Sequence, residues 1–398
     1  MTSPLRRSTV LVVALALAVA ACGDAPAPSG PVEPAPAQAL APGWSPTTRP
    51  PLGPRYGSTA VWTGHEVIVV GGRADDPCPP NADCAIPPDE ALADGAAYDP
   101  AKNQWRPIAP APMKIDGAFG AVAGGTLFLL IPSRGEPGPE FLAYDIAADT
   151  WSRLAAPAGL DVFAGLVPHG TGVVAVPGTD ELGLMADQRF DVATGTWVPL
   201  PDDPLGPSFD RSMVAFDDGL VLFAAELVPQ PNGAEPSLTH AATLDAGLET
   251  WSGLPVSPVL SGWGPWIPAG DVIVNASLGT SDGGEVDGWG RDVPHGGILD
   301  PAAGAWRVLP DPPDGLGPYP GIAVGGGEWV VSPQGWVLHV PTGTWVALAA
   351  PPGRPADQAA VTWAGDRLFV WGGVTWQGGV NDPGRPRLLD TGWTWSPN

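Results

Sequence analysis

Apolar and polar positions alternate in short runs along this chain, and one stretch shows the pattern most clearly. Residues 55–72 read RYGSTAVWTGHEVIVVGG, an insertion follows, and residues 95–108 read GAAYDPAKNQWRPI. Two apolar runs, 58–63 and 66–70, are separated by a tight Thr63-Gly64-His65 turn. The second run ends on Gly71-Gly72, a third ends on Tyr98-Asp99, and Trp105 stands six residues beyond that Asp. Short runs rich in Val and aromatic residues, bounded by Gly, Asp and Pro, are strands joined by hairpin turns. The stretch therefore predicts four antiparallel strands forming one sheet.

The same unit recurs. An apolar or aromatic residue followed by Asp, with Trp six positions after the Asp, appears as Tyr98-Asp99…Trp105, Tyr144-Asp145…Trp151, Phe190-Asp191…Trp197, Leu244-Asp245…Trp251 and Leu299-Asp300…Trp306. Two weaker copies follow, His339…Trp345 and a shortened Leu389-Asp390…Trp395. Helical repeats would show apolar residues every three to four positions, and these do not. Seven copies of a four-stranded unit, each burying its faces against its neighbours, predict an all-β propeller of seven blades over residues 44–398. The recurring Trp residues are expected to pack between blades, since a large rigid ring fills such a wedge. Trp44 sits 13 residues before Gly57, much as Trp105 sits 12 before Gly117, so the N-terminal stretch imitates an outermost strand and is a candidate for closing the ring.

The Gly pair, Tyr-Asp and Trp pattern resembles the kelch repeat, which also builds the propeller of galactose oxidase-like proteins. The resemblance is specific at Val70-Gly71-Gly72 and Trp371-Gly372-Gly373 and degraded between them, where Ile131-Pro132 and Ala224-Ala225 replace the Gly pair. It implies a kelch-type propeller. It does not carry over the copper chemistry, which needs a cross-linked Cys–Tyr pair with Tyr and His ligands.

Residues 1–21 read as an export signal: Arg6 and Arg7, an apolar run over 10–19, then small residues. Val19-Ala20-Ala21-Cys22 resembles the bacterial lipobox, which implies that Cys22 carries the lipid and becomes the mature N-terminus; ordinary signal cleavage leaving a free Cys22 is the alternative. Residues 22–43 are Ala/Pro-rich without a strand pattern and read as a tether. The expected location is the outer face of a bacterial cytoplasmic membrane. The composition, heavy in Ala, Pro and Gly, resembles that of actinobacterial exported proteins. Cys78 and Cys84 bracket five residues inside the insertion 73–94. In an oxidising exterior they are expected to form a disulfide, a metal site lacking any second Cys pair or His cluster.

Net charge is −24 with only two Lys, Lys102 and Lys114, which makes nucleic acid a poor partner. No Gly-rich phosphate loop opens a helix and no Gly-x-Ser-x-Gly elbow appears. No cofactor or metal is expected, and the protein is expected to be monomeric. The useful asymmetry is loop length. Connections between first and second strands are short, whereas residues 73–94, 226–238, 277–294 and 374–385 fall between second and third strands. In an up-and-down blade those long connections share a face with the links between blades, and long loops in compact domains carry function. That face collects Arg55, Asp116, Asp161, Asp210 and Arg211 from the links. It takes Asp282, Glu285, Asp287, Trp289 and Arg291 from one loop and Trp376, Asn381 and Asp382 from the last. Arg55, Asp282, Glu285, Asp287, Trp289, Arg291, Trp376 and Asp382 are the candidate binding residues, with solvated loop charge as the competing reading. The expected function is a membrane-anchored extracellular module binding a protein or glycan. The alternative is a glycan-active hydrolase, lyase or sugar isomerase using carboxylates on that face.

Overall fold

A computed structural model describes residues 43–80, 82, 84, 90–132, 138–159, 164–180, 183–227, 236–260, 265–278, 293–313, 323–333, 335–352, 357–378 and 383–397. Seven four-stranded antiparallel sheets form a β-propeller, with a separate two-stranded hairpin of Val374–Trp376 and Pro386–Leu388. Blade 1 runs Thr59–Trp62, Val67–Val70, Gly95–Asp99 and Gln104–Ile108 from the axis outward. Blades 2 to 6 repeat this order within residues 119–154, 164–199, 208–253, 267–307 and 324–347. The first strand of each blade neighbours the first strands on either side, so the ring closes around the axis. Second strands are buried along most of their length, Val67–Val70 and Gly172–Pro177 throughout, because both of their faces press on neighbouring blades.

Blade 7 is assembled from both ends of the chain. Its sheet runs Ala360–Ala364, Arg367–Trp371, Gly392–Trp395 and then Trp44–Pro46. Trp395 therefore lies in the third strand, opposite Trp44, as Tyr98 lies opposite Trp105. Leu389-Asp390, read above as the end of a third strand, instead lies in the connection. Leu389 donates its backbone N–H to Gly373, as Leu92 does to Gly72. The seventh copy of the motif is Trp395 followed by Trp44, and the ring is sealed by the N-terminal strand.

The repeat signature has a physical cause in each part. Cross-strand partners are Tyr98 and Trp105, Tyr144 and Trp151, Phe190 and Trp197, Leu244 and Trp251, and Leu299 and Trp306. The Asp at the end of the third strand accepts turn N–H groups: Asp99 from Ala101 and Lys102, Asp145 from Ala147 and Ala148, Asp191 from Ala193. Two residues before the Trp the backbone is left-handed at Asn103, Asp149, Gly195, Gly304 and Gly343, residue types that tolerate it. Each indole then reaches the preceding blade. Trp151, Trp197, Trp251, Trp306 and Trp345 donate Nε1–H to the carbonyls of Ala109, Ala155, Pro201, Pro255 and Pro310, and Trp44 to that of Ala349. In every case the acceptor lies four residues beyond the previous blade's Trp. The ring edges stay half-buried, except at Trp345, which is buried.

The exception is the seam where the chain's two ends meet. Trp105 Nε1 is buried without a partner, and the matching carbonyl of Thr48 accepts from the Thr47 hydroxyl. Asn103 spans this seam instead. Its Oδ1 accepts from Thr48 N and its Nδ2 donates to the Pro46 carbonyl, while its own carbonyl accepts from the Thr48 hydroxyl. Trp44 pairs with Trp395 and donates its indole N–H to Ala349, so Trp44→Ala should cost about 2–3 kcal/mol, somewhat under a fully buried Trp. Ser45 faces Thr394 directly, so a Ser45→Cys, Thr394→Cys pair should oxidise and raise the urea midpoint relative to its reduced form. Identical midpoints for the oxidised and reduced forms would show that sealing does not limit stability.

Candidate functional site

Strand order puts the first-to-second and third-to-fourth turns at one end of each blade. The second-to-third connections and the links between blades lie at the other. On that loop face the chain stitches blades together through backbone. Gly71 and Gly72 have φ of 69° and 90°, and Gly372 and Gly373 have 65° and 95°, all in the left-handed region. A Cβ at Gly71 would strike the Ile115 carbonyl at 2.5 Å and one at Gly373 the Asp357 carbonyl at 2.7 Å. The second glycine donates N–H to the lead-in of the next blade, Gly72 to Ile115 (2.9 Å) and Gly373 to Arg55 (2.8 Å). Close backbone approach explains why the motif demands Gly there.

Three buried arginines fasten the same face. Arg55, 3% exposed, donates both terminal nitrogens to Asp94 at 2.6 and 2.9 Å, with further bonds to the Gly53 and Gly71 carbonyls. Its guanidinium lies 6.0 Å from the Trp371 ring centroid. Arg73 clamps Asp75 with Nε and Nη2 at 2.9 and 2.8 Å and reaches Asp116 at 3.0 Å across the blade 1–blade 2 seam. The Tyr56 hydroxyl also donates to Asp75. Arg211, beside a register shift in its strand, contacts Asp180, Asp187 and Asp203 between blades 3 and 4. The bond from Arg55 holds Asp94 below the ordinary carboxylate range, and that from Arg73 does the same for Asp75.

The residues singled out from sequence have different places in the structure. Arg55, Asp116 and Arg211 belong to these seam fastenings. Asp210 has a left-handed backbone, φ 49°, at the position filled by Gly57 and Gly117 in blades 1 and 2. Trp376 is half-buried in the extra hairpin, whose Val374 exchanges backbone hydrogen bonds with Asp357. Cys22, Asp161, Asp282, Glu285, Asp287, Trp289, Arg291, Asn381 and Asp382 lie outside the described residues. Cys78 and Cys84 form a disulfide with Cα atoms 5.8 Å apart, within the insertion that delivers Asp75 and Asp94. Sequence reasoning missed Arg73, Asp75, Asp94, Asp180 and Asp187; the available signal was that a chain with few cations places them repeatedly at the ends of blade strands. Among the described residues no group of three or more His, Cys, Asp or Glu is arranged to hold a metal ion.

No family model matches the chain, and none of the curated proteins matches it. What defines the chain's class is its architecture, a seven-bladed propeller of the kind used as an interaction module.

The pairs differ in what each removal leaves behind. Asp94→Asn removes the counter-charge of the buried Arg55 guanidinium and, with Asp94 itself half exposed, should cost about 2 kcal/mol. Asp116→Asn leaves Arg73 its bidentate Asp75 and should cost under about 1 kcal/mol. Because Asp94 titrates below its unfolded value, its contribution is present above about pH 4 and is lost as pH falls through the folded value. The loss on acidification should therefore be smaller in Asp94→Asn than in wild type. Urea titrations at pH 3 and pH 6 measure both effects, and equal costs for the two variants would contradict this ranking.

Proposed function

We propose that this protein is a kelch-type propeller, exported and anchored by a lipid on Cys22, that captures a protein or glycan partner on its loop face. The observation supporting this reading is the contrast between the two faces. The turns at one end are tight, as at Thr63-Gly64-His65 and Gly365-Asp366. The other end carries the disulfide-bearing insertion, the Trp376 hairpin and the longer connections over a base fixed by buried arginines. Rigid scaffolds with variable loops suit recognition, because loop changes leave blade interfaces untouched. Kelch character rests on the Gly-Gly, Asp and Trp positions, each of which has the structural cause described above. The anchor rests on the Val19-Ala20-Ala21-Cys22 sequence.

Two experiments test this reading. Cys22→Ser should move the protein from the membrane fraction to the medium or stall its processing, and unchanged membrane association refutes the anchor. Replacing Asp282, Glu285, Asp287 and Trp289 together should shift stability by less than about 0.5 kcal/mol per site. It should weaken retention on immobilised cell-envelope glycan and protein fractions, whereas changing His65 and Asp366 should not. Retention lost only with His65 and Asp366 altered places the site on the opposite face. Turnover of a glycan abolished by one carboxylate change replaces binding with catalysis.

A further inference from the structure

The Arg211 cluster stands apart from the other two arginine fastenings by its charge. One guanidinium faces three carboxylates. Asp180 and Asp187 have side chains 3% exposed, Asp203 13%, and Arg211 itself 1%. Arg211 Nη1 reaches Asp180 at 3.3 Å and the Ser208 hydroxyl at 3.0 Å, and Nη2 reaches Asp187 at 3.2 and 3.3 Å and Asp203 at 3.0 Å. Its Nε is buried without a partner. Fully ionised, the group would hold one positive and three negative charges, a surplus of two negatives out of water. Low-dielectric surroundings do not tolerate such a surplus, and carboxylates sharing one site resolve it by retaining a proton.

Three separate pieces of chain meet at this cluster. Asp180 and Asp187 flank the connection between the second and third strands of blade 3, Asp203 lies on the link to blade 4, and Arg211 starts blade 4. Backbone bonds tie the same pieces together: Asp180 N to Ser208 O (2.8 Å), Arg211 N to Gly178 O (2.9 Å) and Leu200 N to Asp187 O (2.8 Å). Between the two buried carboxylates, on the loop face, Leu184 is 75% exposed.

We propose that the Arg211 cluster is a buried proton-binding latch: one proton taken from solvent onto its carboxylates holds the blade 3–blade 4 seam closed beneath the loop face, and its loss loosens that seam. Asp187 is the seat of that proton. Burial, with the carboxylates of Asp203 and Asp180 beside it, raises its pKa to about 6 against the opposing pull of Arg211. The folded value lies above the unfolded one, so this group's contribution is fully present below about pH 4 and is lost as pH rises through about 6. The latch is thus shut in mildly acidic surroundings and loosened at and above neutrality. It acts on the loop face whatever partner that face binds.

Hydrogen exchange tests the latch without a ligand. Peptides covering the amides of Asp180, Gly183, Leu200 and Arg211 should exchange about tenfold more slowly at pH 5 than at pH 7.5 once intrinsic rates are removed, the change expected for one linked proton. Asp187→Asn, a neutral isostere of the protonated acid, should keep them protected at both pH values. Asp203→Asn, at the most exposed of the three acids, lessens the surplus and should move the midpoint of the change downward; it serves if Asp187→Asn fails to fold. Blade 1 peptides around Asp94 should show no such transition. The proposal is overturned if wild-type protection at the seam is the same at pH 5 and 7.5. It is equally overturned if exchange slows uniformly over the whole propeller, which would make the cluster a global stability term.

Discussion

A ring of sheets depends on each blade gripping the one before it, and here the grip is a tryptophan indole. The ring wedges against apolar side chains while its N–H finds a carbonyl just past the end of the neighbouring outer strand, so neither the apolar nor the polar part of the side chain is left unmatched. Each bond is worth only about 1 kcal/mol net, but its acceptor is always four residues past the previous Trp, which fixes the relative position of adjacent blades. The circle has one seam that no covalent turn crosses within the blade, between Gly392–Trp395 and Trp44–Pro46. The indole bond missing at the adjacent seam, at Trp105, is compensated by Asn103, which takes three bonds to Pro46 and Thr48. The same Asn103 Oδ1 accepts from the Tyr98 hydroxyl. One residue thus fixes the turn of blade 1 and the strand that completes blade 7.

On the opposite side of the blades the grip changes character. Backbone amides of paired glycines and buried guanidinium groups replace the indoles, and both work only because the chains come very close. This division explains the distribution of charge. The protein carries a large acidic excess, yet Arg55, Arg73 and Arg211 are drawn inward at the seams, where they face one, two and three carboxylates. Arginine suits this place because its planar fork addresses several oxygens at once, as Arg73 does with Asp75 and Asp116.

The architecture was legible because the repeat signature is made of residues with separate local duties. Asp caps the turn, Gly or Asn allows its left-handed backbone, and Trp follows at the place where the next strand begins. The last copy was misread for a physical reason: blade 7 takes its outer strand from the N-terminus, so its Trp lies some 350 residues away in sequence and the nearest C-terminal Trp, Trp395, took its place in the count. The site was less legible. Arg55 and Arg211 could be placed at the ends of blades, but burial and partners are properties of the closed ring. Asp94 meets Arg55 across a long insertion, and Asp187 meets Arg211 across a blade, at separations that no local pattern encodes. Asp210 shows the opposite case, an acidic residue whose clearest duty is to adopt a backbone conformation.

The three arginine seams also form a series in charge balance. At Arg55 a single carboxylate, half exposed, faces a single guanidinium, so the charges balance one for one. At Arg73 a second carboxylate joins, but Asp116 is 41% exposed and water screens the excess. At Arg211 the count reaches three and two of the acids are fully enclosed, so neither a counter-charge nor solvent is at hand. The remaining means of balance is a proton. Geometry that is otherwise similar thus comes to hold a proton at one of the three seams, through the number of acids around a single buried cation and their access to water.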